Sequence, residues 1–589
     1  MADSDARPAK ADEGEGAAAS EETTASVDAS ETPETVETET VETAEGAQVD
    51  APLARLMGAG FKTSRTRKSV FQSLLQARSR YGGKKIAVID ADGRKLSYDD
   101  LIKASFALGS ALKTGTSKGE VVGLLLPTGA GVIIGFFALS AYGRIPAMLN
   151  FTAGKKALSA AMTAAQASKI VTAHRFIELG GLDQLEADLS EDYELVYLED
   201  VRENLSTGDK ISAAIGLVAP WAMRSWSKPD DPAVFLFTSG TEGDPKGVAL
   251  SHANLIANVE QVRDHIDLLP TDVLFNPMPC FHVFGLTGGV MLPINLGIPA
   301  ICHPTPLEPK TIVKRVAESQ ATILFATDTF LNQYARAAGP HDLESLRFSV
   351  CGAERVKDET RAAVRKKFDL EIVEGYGVTE TAPVIAVNQP GNNHPGTVGQ
   401  LLPGVEARLE KVSGIEDGGR LFVRGPNIML GYVRTSAPGV IEPPVEGWHD
   451  TGDIVAFDED GYLRIRGRVK RFAKLGGEMV SLAVVENCAN SIWPGQLHAA
   501  VAVEDAKKGE QIILFSDCKD ADRQHIVAFA RSHGVTELAI PKRIIHVDEV
   551  PVLGTGKLDY NGVNKMARAM VEKEKAEKAA AKVEAEPTE

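Results

Sequence analysis

The chain has 589 residues, with 63 Lys and Arg against 80 Asp and Glu, for a formal net charge of -17. Hydrophobic residues make up 44% of it, enough for a large core, which excludes global disorder. The acidic balance argues against a nucleic-acid partner, which needs a basic footprint.

Residues 1–50 carry 15 acids against only Arg7 and Lys10. They are rich in Glu, Thr, Ala and Ser and show no apolar periodicity. A disordered acidic arm is expected over 1–60. The start, MADSDARPAK, lacks the basic and apolar run of a secretory signal. With -13 in residues 1–50 and -2 in the charged tail 571–589, the body between them is almost neutral. A basic patch follows at Lys62, Arg65, Arg67 and Lys68.

From residue 69, helix-like stretches alternate with apolar strands such as KKIAVIDADG (84–93), EVVGLLLPTG (120–129) and ASKIVTAHRF (167–176). That alternation predicts an α/β fold. Val121 to Gly143 is uncharged and long enough to span a bilayer, but Pro127, Gly129 and Gly131 cut it into strand, turn and helix. Gly129, Gly131 and Gly135 imitate a dinucleotide loop at the wrong spacing, and no acid follows about 20 residues on, so an NAD-dependent oxidoreductase is set aside. Residues 211–223, ISAAIGLVAPWAM, read as a core helix, with a lipid-touching surface helix as the alternative. Val273 to Leu307 is again uncharged but broken by six prolines, which predicts the wall of an apolar pocket. EKEKAEKAAAK (572–582) reads as an exposed helix in the tail. Cys280, Cys302, Cys351, Cys488 and Cys518 form no C-x-x-C pair, so a reducing cytoplasm fits better than a disulfide framework or zinc site.

The densest chemical signal is an apolar strand, Phe235-Leu236-Phe237, that runs into TSGTEGDPKGV. Glycines let backbone N–H groups approach a phosphate, while hydroxyls and a lysine add donors and charge. The spacing is not that of a Walker loop. The segment resembles the phosphate loop of the adenylate-forming superfamily of acyl and aryl ligases. EGYGVTET (374–381), WHDTGD (448–453), GRVKRFAKLGGEMVS (467–481) and PVLGTGK (551–557) match further signatures in the family's order. The resemblance covers roughly residues 69–565.

It implies a large multi-sheet α/β adenylation domain over 69–467 and a small, mobile α+β domain over 468–565. It also implies a role for each matching residue. Thr238, Ser239, Gly240, Thr241, Glu242, Gly243 and Lys246 would hold the β- and γ-phosphates of ATP. Gly352, Ala353 and Glu354 would lie along the adenine, and Tyr376, between Gly375 and Gly377, would stack on it. Thr379 would bond the α-phosphate, and Glu380 would ligate Mg²⁺. Asp453 and Arg468 would meet the ribose. His282 matches a position near the substrate carboxylate, with a hydrogen-bonded core histidine as the equal alternative. Lys557 would be catalytic, offsetting charge between carboxylate and α-phosphate. The small domain would swing about Lys470 and present Gly476 and Gly477 to a thiol arm.

Within the superfamily, RIPAMLNFTAG (144–154), Glu242 in the loop and Leu558-Asp559-Tyr560 resemble the ligase half of bacterial acyl–acyl-carrier-protein synthetases. Their fused acyltransferase needs His-x4-Asp, which none of the twelve histidines provides, so a stand-alone ligase is expected. The resemblance favours acyl carrier protein as acceptor, with coenzyme A as the alternative; the uncharged 273–307 region suggests an apolar tunnel for a medium- to long-chain fatty acid, with aryl acids as the alternative. The basic block RIRGRVKRFAK (464–474) would steer either anionic acceptor. An inert scaffold of the same fold is the competing class. A cytoplasmic location is expected, with a peripheral contact to the inner face of the inner membrane left open through Ile211–Trp226 or the 62–68 patch.

Overall fold

The computed structural model describes residues 54–238, 245–475, 478–505, 509–552 and 558–584. Among these, four sheets form one compact α/β unit. Eight strands make one large sheet, whose parallel part comprises Pro232–Thr238, Ile145–Met148, Val121–Leu124, Lys169–Thr172 and Glu194–Tyr197. The hairpin strand Lys246–Ser251 then leads antiparallel to Gly431–Arg434. A nine-stranded sheet is parallel from Ile86–Ile89 through Ala300–Cys302, Leu274–Asn276, Ile323–Ala326 and Phe348–Cys351 to Glu371–Gly377. Parallel strands covered on both faces must be apolar throughout, and Val121–Leu124 and Ile323–Ala326 are buried at every position. A third, antiparallel sheet ends in His449–Phe457 and Leu463–Arg468. One turn, Val469–Arg471, separates it from the fourth sheet, which starts at Phe472–Leu475 and has two apolar clusters of its own.

The uncharged stretch from Val121 resolves into the strand Val121–Leu124 and the helix Ala130–Ala141, both sunk in the core. No helix among the described residues is long and apolar enough to cross a membrane. Three expectations need revision. Of the arm expected to be disordered over 1–60, residues 1–53 lie outside the described residues, and its last residues are structured: Ala54–Met57 pairs antiparallel with Glu406–Leu409, and the Gly58 N–H donates to Val405 O at 2.8 Å. The composition of the acidic arm hid this short edge strand, ARLM. The 62–68 patch is not a free basic surface. Arg67 pairs with Asp230 at 2.5 Å, Arg65 with Asp264, and Lys68 with Glu260 at 3.6 Å.

The third revision concerns residues 211–223. The helix Thr207–Val218 buries Ser212 and Gly216, and of its large aliphatic residues only Leu217 packs partly against the core. A Cβ on Gly216 would lie 2.3 Å from the Phe106 ring, so only glycine permits this approach. Ile211, Ile215 and Val218 face solvent. At the C-terminus, the predicted tail helix is the end of a longer one, Tyr560–Glu584.

Candidate active site

Three sheets bring Lys246, Gly352, Gly375, Tyr376, Glu380, Asp453 and Arg468 together near the C-terminal ends of parallel strands, where open α/β sheets place their ligands. Thr238 closes the strand Pro232–Thr238, and Lys246 opens the next strand directly opposite it in register. Ser239, Gly240, Thr241, Glu242 and Gly243 lie outside the described residues, as do Gly476, Gly477 and Lys557. The Lys246 ammonium stands 5.8 Å from the centre of the Tyr432 ring, within cation–π reach. Tyr432 is carried there by the neighbouring strand, opposite Val248.

Gly352, Ala353 and Glu354 form the turn after the strand Phe348–Cys351, with Ala353 in the left-handed region at φ +69°. Glu354 Oε2 accepts from the Thr329 N–H at 3.2 Å and its hydroxyl at 2.8 Å, which fixes the turn. The adjacent strand supplies Gly375, Tyr376 and Gly377. At Gly377 a Cβ would meet the Pro383 carbonyl oxygen at 2.0 Å, so the chain doubles back too closely for any side chain.

At the centre of the site, the Tyr376 hydroxyl donates to Asp453 Oδ2 at 2.5 Å, and Arg468 Nε donates to Asp453 Oδ1 at 2.8 Å. Asp453 is 3% exposed, so its charge acts in a poorly screened setting. Burial first, then the Asp453 charge, pushes the Tyr376 phenol well above its ordinary range, which keeps it a donor. Asp453 in turn holds Arg468 firmly protonated. Each carboxylate oxygen accepts two bonds, so Asp453 keeps acceptor capacity for a ribose hydroxyl. The first claim on Tyr376, however, is its own hydroxyl bond, which the sequence did not reveal.

Thr379 and Glu380 lie in a single turn, Thr379–Thr381. The Glu380 carbonyl accepts from the Met429 N–H at 2.8 Å, and its Oε1 accepts from the Tyr432 hydroxyl at 2.6 Å. Tyr432 is therefore a member of the site that sequence reasoning missed; the Gly431-Tyr432 pair opening the strand Gly431–Arg434 was its only signal. His449 is a second. It is buried, and desolvation lowers its pKa against the pull of nearby Glu380, Asp450 and Asp453, so it stays neutral. Among the described residues no cluster of three metal-ligating side chains exists. Glu380 alone suits Mg²⁺, which commonly takes one or two carboxylates and completes its shell with phosphate oxygens and water.

His282 precedes the π-helix Phe284–Met291, and its carbonyl accepts from the Leu286 N–H at 3.0 Å. That helix lines an apolar cavity of about 50 Å³ whose walls include Phe284, Thr287, Leu292, Phe325, Val350 and Val384. From the 273–307 stretch, Leu274, Phe284, Thr287, Gly288 and Leu292 form part of its wall, but the cavity is well below the roughly 300–1,000 Å³ of a ligand pocket. Phe284 joins cavity to site, since its ring lies 3.7 Å from where a Gly352 Cβ would sit. Cys280 is fully buried and its thiol is pushed up to about 12, which suits packing and not nucleophilic attack. The basic block 464–474 is largely neutralised. Arg464 pairs with Asp458 at 3.4 Å, Arg466 with Asp417, Arg468 with Asp453 and Arg471 with Glu486 at 2.6 Å. Lys470 sits in the turn Val469–Arg471.

A family model described as AMP-binding enzyme matches residues 75–433. A long-chain-fatty-acid–CoA ligase of Salmonella typhimurium is 31% identical over 356 residues, or 58% of this chain; the match spans only 63% of that relative's length. A medium-chain fatty-acid–CoA ligase of Escherichia coli is 26% identical over 497 residues, 80% of this chain and 86% of the relative. The crystal structure of ATP-bound MatB from Rhodopseudomonas palustris superposes with a TM-score of 0.71 at 25% identity, covering 85% of this chain and 99% of that one.

Proposed function

Because the chain belongs to the AMP-binding enzyme family, we propose that it activates a medium- or long-chain fatty acid with ATP and transfers the acyl group to a thiol. The observation that carries this reading is the joining of two features by Phe284. One is the polar cluster in which buried Tyr376 and Asp453 meet the exposed Arg468, with the half-buried Glu380–Tyr432 pair beside it; the other is the apolar cavity. The polar cluster supports a nucleotide site, and the cavity, at about 50 Å³, supports an apolar lining beside it from which a wider acyl path would have to open.

In the first step a carboxylate oxygen attacks the α-phosphorus, and the bond to pyrophosphate breaks. In the second a thiolate attacks the mixed-anhydride carbonyl, and AMP leaves. Thr238 and Lys246, with Ser239, Gly240, Thr241, Glu242 and Gly243, are assigned to the phosphates. Gly352, Ala353, Glu354 and Gly375 to Gly377 are assigned to the adenine, and Asp453 with Arg468 to the ribose. Thr379 is assigned to the α-phosphate, and His282 to the carboxylate end of the acid. Mg²⁺ held by Glu380 would neutralise phosphate charge as pyrophosphate departs. Lys557 is the proposed cation between carboxylate and α-phosphate. The domain boundary at 467/468, the hinge at Lys470 and the thiol-facing Gly476-Gly477 belong to the same proposal.

The curated relatives are named as coenzyme A ligases, which supports coenzyme A over the carrier protein expected from the sequence. The neutralised basic block gives no separate argument for an acidic carrier. Pyrophosphate release is measured with fatty acid, ATP and Mg²⁺, followed by thioester formation with each acceptor. Release dependent on fatty acid, with faster coenzyme A acylation, is the expected result. No release would leave an inert scaffold, and faster carrier acylation would reverse the choice of acceptor.

A further inference from the structure

The helix Thr207–Val218 and the turn after it present an inverted surface. Ile211, Ala214, Ile215 and Val218 follow at i, i+3, i+4 and i+7, the spacing of a helix's apolar stripe, yet all four are exposed. Val218 is 84%, Trp221 68% and Trp226 63% accessible. This is no loosely attached segment. Ser212 and Gly216 seat the helix against Phe106 and Ser110, with Ser212 and Ser110 hydroxyls 3.3 Å apart. The turn is pinned by the Ser225 N–H to Ala141 O at 2.8 Å and by Lys118 Nζ to Trp226 O at 2.6 Å. Arg224 stacks 4.1 Å over the Trp226 ring. The molecule therefore holds a contiguous apolar face, with two tryptophans, rigidly toward solvent.

The charge around that face identifies what it meets. From Lys210 to Lys228 there is no Asp or Glu, while Lys210, Arg224 and Lys228 supply three positive charges; the acids just outside, Asp209, Asp230 and Asp231, are bonded to Ser206, Arg67 and the Lys228 N–H. An apolar helix stripe, tryptophans beside it and cations at both ends match the layered chemistry of a bilayer surface: acyl chains, then interface, then anionic headgroups. We propose that Ile211–Trp226 is an interfacial docking surface for an anionic lipid membrane. The helix would lie in the headgroup plane, with Ile211, Ile215, Val218 and the two tryptophans toward the acyl chains. The cations paired elsewhere in 62–68 take no part.

The test is co-flotation of the full chain with vesicles of phosphatidylcholine, alone or containing one-third phosphatidylglycerol. The expected result is flotation with the anionic vesicles, weakened by salt. Trp221→Ala/Trp226→Ala should lower the partition coefficient about tenfold, and Lys210→Gln/Lys228→Gln should erase the preference for phosphatidylglycerol. Both variants replace exposed side chains, and unchanged melting curves confirm their folding. Brominated lipid should quench wild-type tryptophan fluorescence but not that of Trp221→Phe/Trp226→Phe. Wild-type protein that stays wholly in the soluble fraction would overturn the proposal. So would flotation indifferent to the tryptophan pair, or a concentration-dependent dimer that the pair abolishes without vesicle binding. Pyrophosphate release from a water-soluble acid, measured without vesicles in the same variants, should be unchanged and reads the proposed chemistry separately.

Discussion

Tyr432 donates to Glu380 at 2.6 Å and underlies the Lys246 ammonium, so one ring positions two charged groups of the proposed phosphate site. Hydrogen bonds to charged acceptors contribute about 1.5–3 kcal/mol. Tyr432→Phe keeps the ring and removes that bond. Its kcat should fall about tenfold or more, with a raised Mg²⁺ requirement and little change in melting temperature. An unaltered Mg²⁺ titration would show that Tyr432 does not position Glu380. Asp453→Asn should be more severe, because the buried Tyr376 and the exposed Arg468 both lose a charged acceptor. A drop of about 10²-fold in kcat/KM for ATP is expected. Glu380 and Asp453 were legible in the sequence because each lies inside a compact signature. Tyr432 was not, because it reaches Glu380 from 52 residues away through strand register, which no local pattern encodes.

The helix Val70–Tyr81 meets the helix His252–His265 through the Val70 N–H, which donates to His252 Nδ1 at 3.2 Å. A helix-start N–H has no partner within its own helix, so the imidazole supplies one, and only the neutral ring can accept. Burial depresses His252 to about 4 from an ordinary 6.5. The unfolded chain then binds the extra proton first as pH falls, so this contribution is complete above about pH 6.5 and lost toward pH 4. Between pH 6.5 and 5 the loss is about 2 kcal/mol. The apparent melting temperature should fall less over that interval in His252→Gln than in the wild type; equal slopes would assign the acid sensitivity elsewhere. A second element, the π-helix Phe284–Met291, leads into Leu292 at the cavity wall. Leu292→Phe should cut kcat/KM for the longest acids roughly tenfold while sparing shorter ones, at about 0.8 kcal/mol per methylene denied burial. A uniform loss across chain lengths would place the acyl chain outside this cavity. Apolar runs announced the strands of both large sheets. The same reasoning failed for residues 211–223, because hydrophobicity marks a buried face or a docking face equally well. Only the tight seat of Gly216 on Phe106 shows which side turned inward.

At the scale of the whole molecule, the net charge of -17 belongs mostly to residues 1–50, and removing them would leave -4. An acidic run with no apolar periodicity carries no signal for a short edge strand that follows it. The expected boundary at residue 60 therefore overlooked Ala54–Met57. That strand closes one edge of the third sheet, whose opposite edge carries Asp453 and Arg468 on paired strands. Comparing two truncations separates charge from structure. Deleting 1–50 changes the charge and leaves the strand. Deleting 1–60 removes no Asp or Glu beyond those but adds the loss of Arg55 and of the pairing with Glu406–Leu409. The second truncation should melt several degrees below the first at one scan rate and bare an unpaired edge prone to association. Its KM for ATP should also rise if sheet order reaches the Asp453 edge. Equal melting temperatures would mean the strand contributes nothing to the sheet, and any kinetic difference between the full chain and the first truncation would then belong to the charge of the arm.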